Sequence, residues 1–191
     1  MKKNNMISLF KAINILKRNK IIIYPTESVF GFGCNPDSSK AIKKIIKIKK
    51  RSKKKGLILL TNNYIKLIPY VNFNFLSKPS MYKKIFKFYN RPTTLLLPAK
   101  HDINILITGG SSFVAVRFIN YLPILNDICN FFKKPIISTS VNISGMKSCC
   151  SIKDIHDQFG KKIPILKGNL GKEKKTSRIL NIITGEVIRN D

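Results

Sequence analysis

Acidic side chains are scarce in this chain of 191 residues: Asp and Glu number 9 against 36 Lys and Arg, with 2 histidines. So small an inventory argues against a protein-borne acid–base pair and against a Ser-His-Asp triad. Cysteine is thin as well. Cys34, Cys129, Cys149 and Cys150 form no Cys-x-x-Cys pair, and the adjacent Cys149-Cys150 suits neither a disulfide nor a zinc site. His101 and His156 stand at no ligand spacing, so no metal-ligand set is expected. No apolar run approaches the ~20 residues of a membrane span. Lys11, Lys17 and Arg18 interrupt the apolar residues behind the basic start, so no signal peptide is read. A soluble cytoplasmic protein, without a membrane partner, is the expectation.

What is present points to a folded enzyme-sized unit. A hydrophobic content of 43% supports a packed globule, and the length fits one domain over residues 1–191. The net charge of +27 suits a polyanionic partner, tRNA or double-stranded RNA among them. The lysines travel with isoleucine and asparagine throughout, a drift that adenine-rich codons produce by themselves, so both sources of the charge stay open. The arginines are more informative. They are only Arg18, Arg51, Arg91, Arg117, Arg178 and Arg189, and a planar guanidinium grips carboxylate and phosphate through two parallel hydrogen bonds.

The hydropathy pattern alternates between helix and strand. Residues 7–19 read as an amphipathic helix and residues 20–24 as a short buried strand stopped by Pro25. The segment that follows, Thr26 to Cys34, reads as a ligand loop with paired glycines. Asp37 or Ser38 caps a second helix whose Ala41, Ile42, Ile45, Ile46 and Ile48 make an apolar stripe. Strands are expected at 57–60, 94–97, 113–118, 135–138 and 163–166, and helices around 62–70, 80–89, 122–132 and 151–159. A hairpin closes the chain, with strands from Arg178 to Ile183 and from Glu186 to Arg189. The whole reads as an α/β fold whose sheet is not purely parallel.

Three constellations carry chemistry. The basic run from Lys47 to Lys55 reads either as a solvated helix end or as a polyphosphate ligand between helix and strand. It contains no P-loop, and Gly31-x-Gly33 lacks the third glycine of a dinucleotide fingerprint. A strand ends in Ser138-Thr139-Ser140-Val141-Asn142, where hydroxyls and an amide either serve phosphate and ribose or bond their own turn. Arg117 is the lone charge of an apolar strand. It must meet a carboxylate or open toward a site, and with few acids in the chain a ligand carboxylate is a suitable partner.

Five segments in register, "YPTESVFGFGCNPDS", "IKKRSKKKGLILL", "SSFVAVRF", "PIISTSVNISG" and "SRILNIITGEVIRN", resemble the YrdC-like threonylcarbamoyl-AMP synthases over nearly the whole chain. The resemblance implies a YrdC-like twisted mixed sheet flanked by helices, with a basic concave face. It implies synthesis of L-threonylcarbamoyladenylate and pyrophosphate from L-threonine, bicarbonate and ATP, with Mg²⁺ beside the phosphates. The product serves N6-threonylcarbamoyladenosine at position 37 of tRNAs reading codons that start with A, through threonylcarbamoyl-transfer partner proteins. The family's Lys-x-Arg falls on Lys49 and Arg51 and its Ser-x-Asn on Ser140 and Asn142, which would act in catalysis and line the ATP site. Thr94 and Ser138 would add hydrogen bonds to ATP. Thr26 and Arg117 would bind threonine, Arg117 through its carboxylate. The chain departs from the family pattern at Arg91 (a glycine), Ser52 and Thr176 (prolines) and Asn181 (an aspartate).

Overall fold

The structure, a computed structural model, describes residues 5–88, 92–119, 121–171, 173 and 177–189. Arg91 and Thr176, two of the departures from the family pattern, lie outside the described residues. In chain order the elements are β1 (Met6–Ile7), α1 (Leu9–Lys17), β2 (Ile22–Pro25), β3 (Phe30–Cys34), α2 (Ser39–Ile48) and β4 (Ile58–Thr61). A 3₁₀ turn (Tyr64–Leu67), α3 (Phe73–Leu76), α4 (Pro79–Phe86), β5 (Thr93–Pro98) and α5 (Ile105–Thr108) follow. The rest is β6 (Phe113–Phe118), α6 (Pro123–Phe132), β7 (Ile136–Ser140), α7 (Ile152–Phe159), β8 (Ile165–Leu166), β9 (Arg178–Asn181) and β10 (Val187–Arg189).

Among the described residues the strands form one sheet in the order β1-β8-β2-β3-β7-β4-β6-β5-β9-β10. It is mixed, as expected. β4 runs parallel to β6 and β5 parallel to β9, whereas β2–β3, β3–β7, β4–β7 and β5–β6 are antiparallel. Strands distant in sequence become neighbours here, and that brings residues 26, 51, 117 and 138 to one region.

After Pro25 the chain makes a turn over residues 26–29, and the glycine-paired part beyond it, Phe30–Cys34, is a strand rather than the loop its glycines suggest. Pro25 ends β2 opposite Phe30, and β3 returns antiparallel to it. Side chains alternate across a strand, so Phe30, Phe32 and Cys34 enter the main core while Gly31 and Gly33 face the other way. There the Tyr24 ring lies flat on them. A Cβ at Gly31 would meet Tyr24 Cε2 at 2.8 Å, and one at Gly33 would meet Cε1 at 2.6 Å. Glycine serves close approach here rather than flexibility.

The two faces of the sheet are covered differently. On one, Phe32, Leu59, Val116, Phe118 and Ile137 pack with Ala41, Ile42, Ile45 and Ile46 of α2, the predicted stripe, capped by the Ser38 side chain at Ala41 N, 3.2 Å. On the other, Ile22, Tyr24, Leu60 and Ile136 pack with Ala12 and Leu16 of α1 and Leu125, Ile128 and Cys129 of α6. Directly paired residues share a face, so the register Leu60↔Arg117, Arg117↔Thr94, Gly31↔Ser140 and Gly33↔Ser138 places Arg117, Ser138 and Ser140 on this second face. The candidate site occupies the part of it beyond the apolar cluster under α1 and α6.

Candidate active site

A cleft of about 170 Å³ opens at this place, lined by Thr26, Glu27, Arg51, Arg117, Ser138, Ser140, Ser177 and Arg189 among others. Five residues singled out in the sequence thus share one wall: Thr26, Arg51, Arg117, Ser138 and Ser140. Lys49, Asn142 and Thr94 stand behind that wall.

Thr26 shapes the turn from β2 to β3. Its hydroxyl donates to Val29 O at 2.6 Å, and its backbone N–H bonds the same oxygen at 3.2 Å. Local side-chain-to-backbone bonds of this kind fix a turn. The hydroxyl therefore presents a set position at the cleft rather than a free rotor.

The Lys-x-Arg pair is split by a backbone reversal. α2 ends in a Schellman motif: Arg51 N–H bonds Ile46 O at 3.0 Å and Lys50 N–H bonds Lys47 O at 3.1 Å. Lys50 takes the left-handed conformation, with φ of 50°, where glycine is usual. This turn sends Lys49 inward and Arg51 to the cleft. Arg51 Nη2 donates to Gly56 O at 2.7 Å and Nε to Lys55 O at 3.2 Å, which ties its guanidinium to its own loop.

Lys49 is 1% exposed. Its ammonium donates to Ser140 O, to Asn142 O at 2.8 Å and to Asn142 Oδ1 at 3.1 Å. Three donors meet three acceptors, and the loop after β7 is fixed by them. Burial, and then the Arg51 charge, pull the Lys49 pKa down to about 7. Asn142 is likewise turned to its own loop, donating to Met146 O at 2.8 Å and accepting from Ser140 Oγ at 2.7 Å. Ser138 Oγ accepts from the buried Tyr24 hydroxyl at 2.7 Å, leaving its own proton to donate. Burial raises the Tyr24 pKa, so the phenol stays protonated. Thr94 is fully buried and shares a hydrogen bond of 2.9 Å with Ser177 Oγ, so it reaches the cleft only through Ser177.

Arg117 meets a protein carboxylate after all. Its Nη2 donates to Glu27 Oε1 and, at 2.5 Å, to Tyr121 Oη. Burial works against the charge, but Glu27 and Tyr121 outweigh it and hold the guanidinium above its ordinary pKa. Glu27 went unassigned in the sequence because nothing local pairs residue 27 with residue 117. Arg189 was also passed over. It lines the cleft from β10, with Nε on Ser177 O at 3.2 Å. Arginine scarcity was the available signal: Arg51, Arg117 and Arg189 make up half of the chain's six arginines. Among the described residues, no group of three or more His, Cys, Asp and Glu could hold a metal ion. No helix among them is long and apolar enough to cross a membrane.

The chain is thus an α/β protein built on a twisted mixed sheet, with a cleft that gathers arginines and hydroxyls. The Sua5/YciO/YrdC family model, described as "Telomere recombination", matches residues 14–190, and the chain belongs to that family. It is 40% identical over 178 residues to the threonylcarbamoyl-AMP synthase of Photorhabdus laumondii, covering 93% of each chain. It is 44% identical over 175 residues to that of Buchnera aphidicola from Acyrthosiphon pisum, covering 92% of this chain and 99% of the relative. Among solved structures it resembles P. abyssi Sua5 complexed with L-threonine, with a TM-score of 0.81 and 26% identity. That match covers 92% of this chain and 54% of the Sua5 chain.

Proposed function

We propose that this protein joins L-threonine, bicarbonate and ATP into L-threonylcarbamoyladenylate, releasing pyrophosphate. The product supplies N6-threonylcarbamoyladenosine at position 37 of tRNAs that read codons starting with A. The observation that carries the reading is the convergence of Arg51, Arg117, Ser138 and Ser140 on one cleft, in a chain whose relatives bear that activity in their names.

The reaction asks for what this cleft offers. The threonine amine adds to bicarbonate with loss of water, and an oxygen of the resulting carbamate attacks the α-phosphate as pyrophosphate leaves. Both partners are anions. The protein's task is to bring them together and neutralise charge as it develops. In our assignment Arg51, Ser138 and Ser140 face the phosphates, while Thr26 and Arg117 face threonine. Lys49 and Asn142 act by fixing the backbone at 140–142, and Thr94 acts through Ser177. The cleft is small beside the roughly 300–1,000 Å³ of usual ligand pockets, so it suits the amino acid and the reacting phosphate, with the nucleoside over the open rim. Mg²⁺ typically binds through substrate phosphates and few carboxylates; here it would arrive with the triphosphate and neutralise its charge.

Residues 1–191 act as one domain in this reading, and the single sheet supports it. The setting is the cytoplasm, where the product passes to threonylcarbamoyl-transfer proteins. tRNA is the proposed partner for the lysine-rich surface. Lys43, Lys44, Lys47, Lys50, Lys53, Lys54 and Lys55 are all exposed beside the Arg51 loop, and phosphate contacts of this kind give salt-dependent affinity.

The test is pyrophosphate release by the purified protein with ATP and Mg²⁺, omitting threonine and bicarbonate in turn. Release that requires both is expected. RNA binding without any threonine-dependent release, from a folded protein, would instead favour a basic binding module.

A further inference from the structure

Glu27 is 4% exposed and Arg117 9%, and both line the cleft. Their contact is end-on: Glu27 Oε1 accepts from Arg117 Nη2, the same nitrogen that serves Tyr121. Glu27 Oε2 and Arg117 Nε are buried and have no hydrogen-bond partner, the two such side-chain atoms among the described residues. A carboxylate present only to neutralise an arginine would sit fork to fork with it, and that arrangement would satisfy both atoms. The Glu27–Arg117 contact leaves one acceptor and one donor unmatched.

The backbone does not explain this arrangement by leaving Glu27 loose. The Glu27 carbonyl accepts from Glu173 N–H at 3.0 Å, and Thr26 O accepts from Gly171 N–H at 2.9 Å. A Cβ at Gly171 would stand 2.7 Å from Glu27 Cα, so the chain at 171 lies directly on this turn. Residue 27 is held from behind with its carboxylate at the cleft. Unmatched buried polar atoms in a folded protein call for a ligand or another explanation.

A negative and a positive group, each with an atom to spare, complement the two ends of an α-amino acid. We propose that Glu27 recognises the α-ammonium group of the amino-acid substrate through Oε2, while Arg117 takes its carboxylate. This deepens, and rests on, the assignment of threonine to this cleft. Both atoms are buried in this structure, so side-chain rotation is required to bring Oε2 and Nε to the ligand. Selectivity for an α-amino acid over an α-hydroxy acid would then reside in Glu27.

The experiment is calorimetric titration of the full chain, without ATP, using L-threonine and the matching 2,3-dihydroxybutyrate, in which a hydroxyl replaces the amine. The wild type is expected to prefer threonine by about tenfold or more, the scale of a partly desolvated charge contact. In Glu27→Gln that preference is expected to collapse while dihydroxybutyrate binding changes little. Equal binding of both ligands by the wild type overturns the inference without any variant. Equal weakening of both in Glu27→Gln also overturns it, since Glu27 would then merely position Arg117. Wild-type protein that binds neither ligand overturns the threonine assignment itself, and this inference with it.

Discussion

Lys49 Nζ donates to both oxygens that Asn142 offers, the backbone carbonyl at 2.8 Å and Oδ1 at 3.1 Å. The lysine of one motif thus holds the asparagine of another, 93 residues away. Burial and the neighbouring Arg51 charge oppose that ammonium and set its pKa near 7. Between about 7 and the ordinary 10.5 the unfolded chain holds more protons than the folded one, so stability there rises with pH. Below about 7 both states are protonated and the cost of the buried charge is fully present. The urea midpoint of the wild type, measured relative to Lys49→Met, is expected to climb from pH 7 to pH 10. A flat difference would show that the ammonium keeps its proton throughout.

Lys50 adopts a left-handed conformation that costs a side chain of its kind on the order of 1–3 kcal/mol. Lys50→Gly relieves it, at some loss from the unfolded chain's greater freedom. A net gain of about 1 kcal/mol in denaturant unfolding is expected, with turnover unchanged because the Lys50 side chain is exposed. Destabilisation would mean that the lysine side chain makes a favourable contact there.

Arg51 reaches the cleft while anchored to Gly56 O and Lys55 O. Arg51→Ala should leave the protein folded, by circular dichroism, and reduce turnover about 10²–10³-fold, the scale of losing one preorganised charge contact. Near-normal turnover would remove Arg51 from the site.

Thr26 combines turn closure with a place at the cleft. Thr26→Ala is expected to raise the threonine KM far more than the ATP KM. Thr26→Ser keeps the hydroxyl that bonds Val29 O and should restore most of the loss. Equal increases in both KM values for Thr26→Ala would make the residue a general support of the turn.

Local patterns in the chain settled the elements that depend on neighbours in sequence. The apolar stripe of α2, its Ser38 cap, and the apolar strands β4 to β7 follow from periodicity and from short-range hydrogen bonding, which the sequence records directly. Arg117 stands out locally as the lone charge of an apolar strand, whereas Arg51 is reached through the resemblance to the family's Lys-x-Arg. The strand β3 was hidden because glycine is a poor strand former. Glycine stands at 31 and 33 because the Tyr24 ring, brought across by the hairpin, leaves no room there for a Cβ atom. Tertiary structure alone decided the charge pairing. The sheet order β2-β3-β7-β4-β6 sets Glu27 against Arg117, 90 residues apart, and draws Lys49 behind the wall that Arg51 lines. Periodicity fixes which face a side chain takes, but strand order fixes which distant charge it meets there.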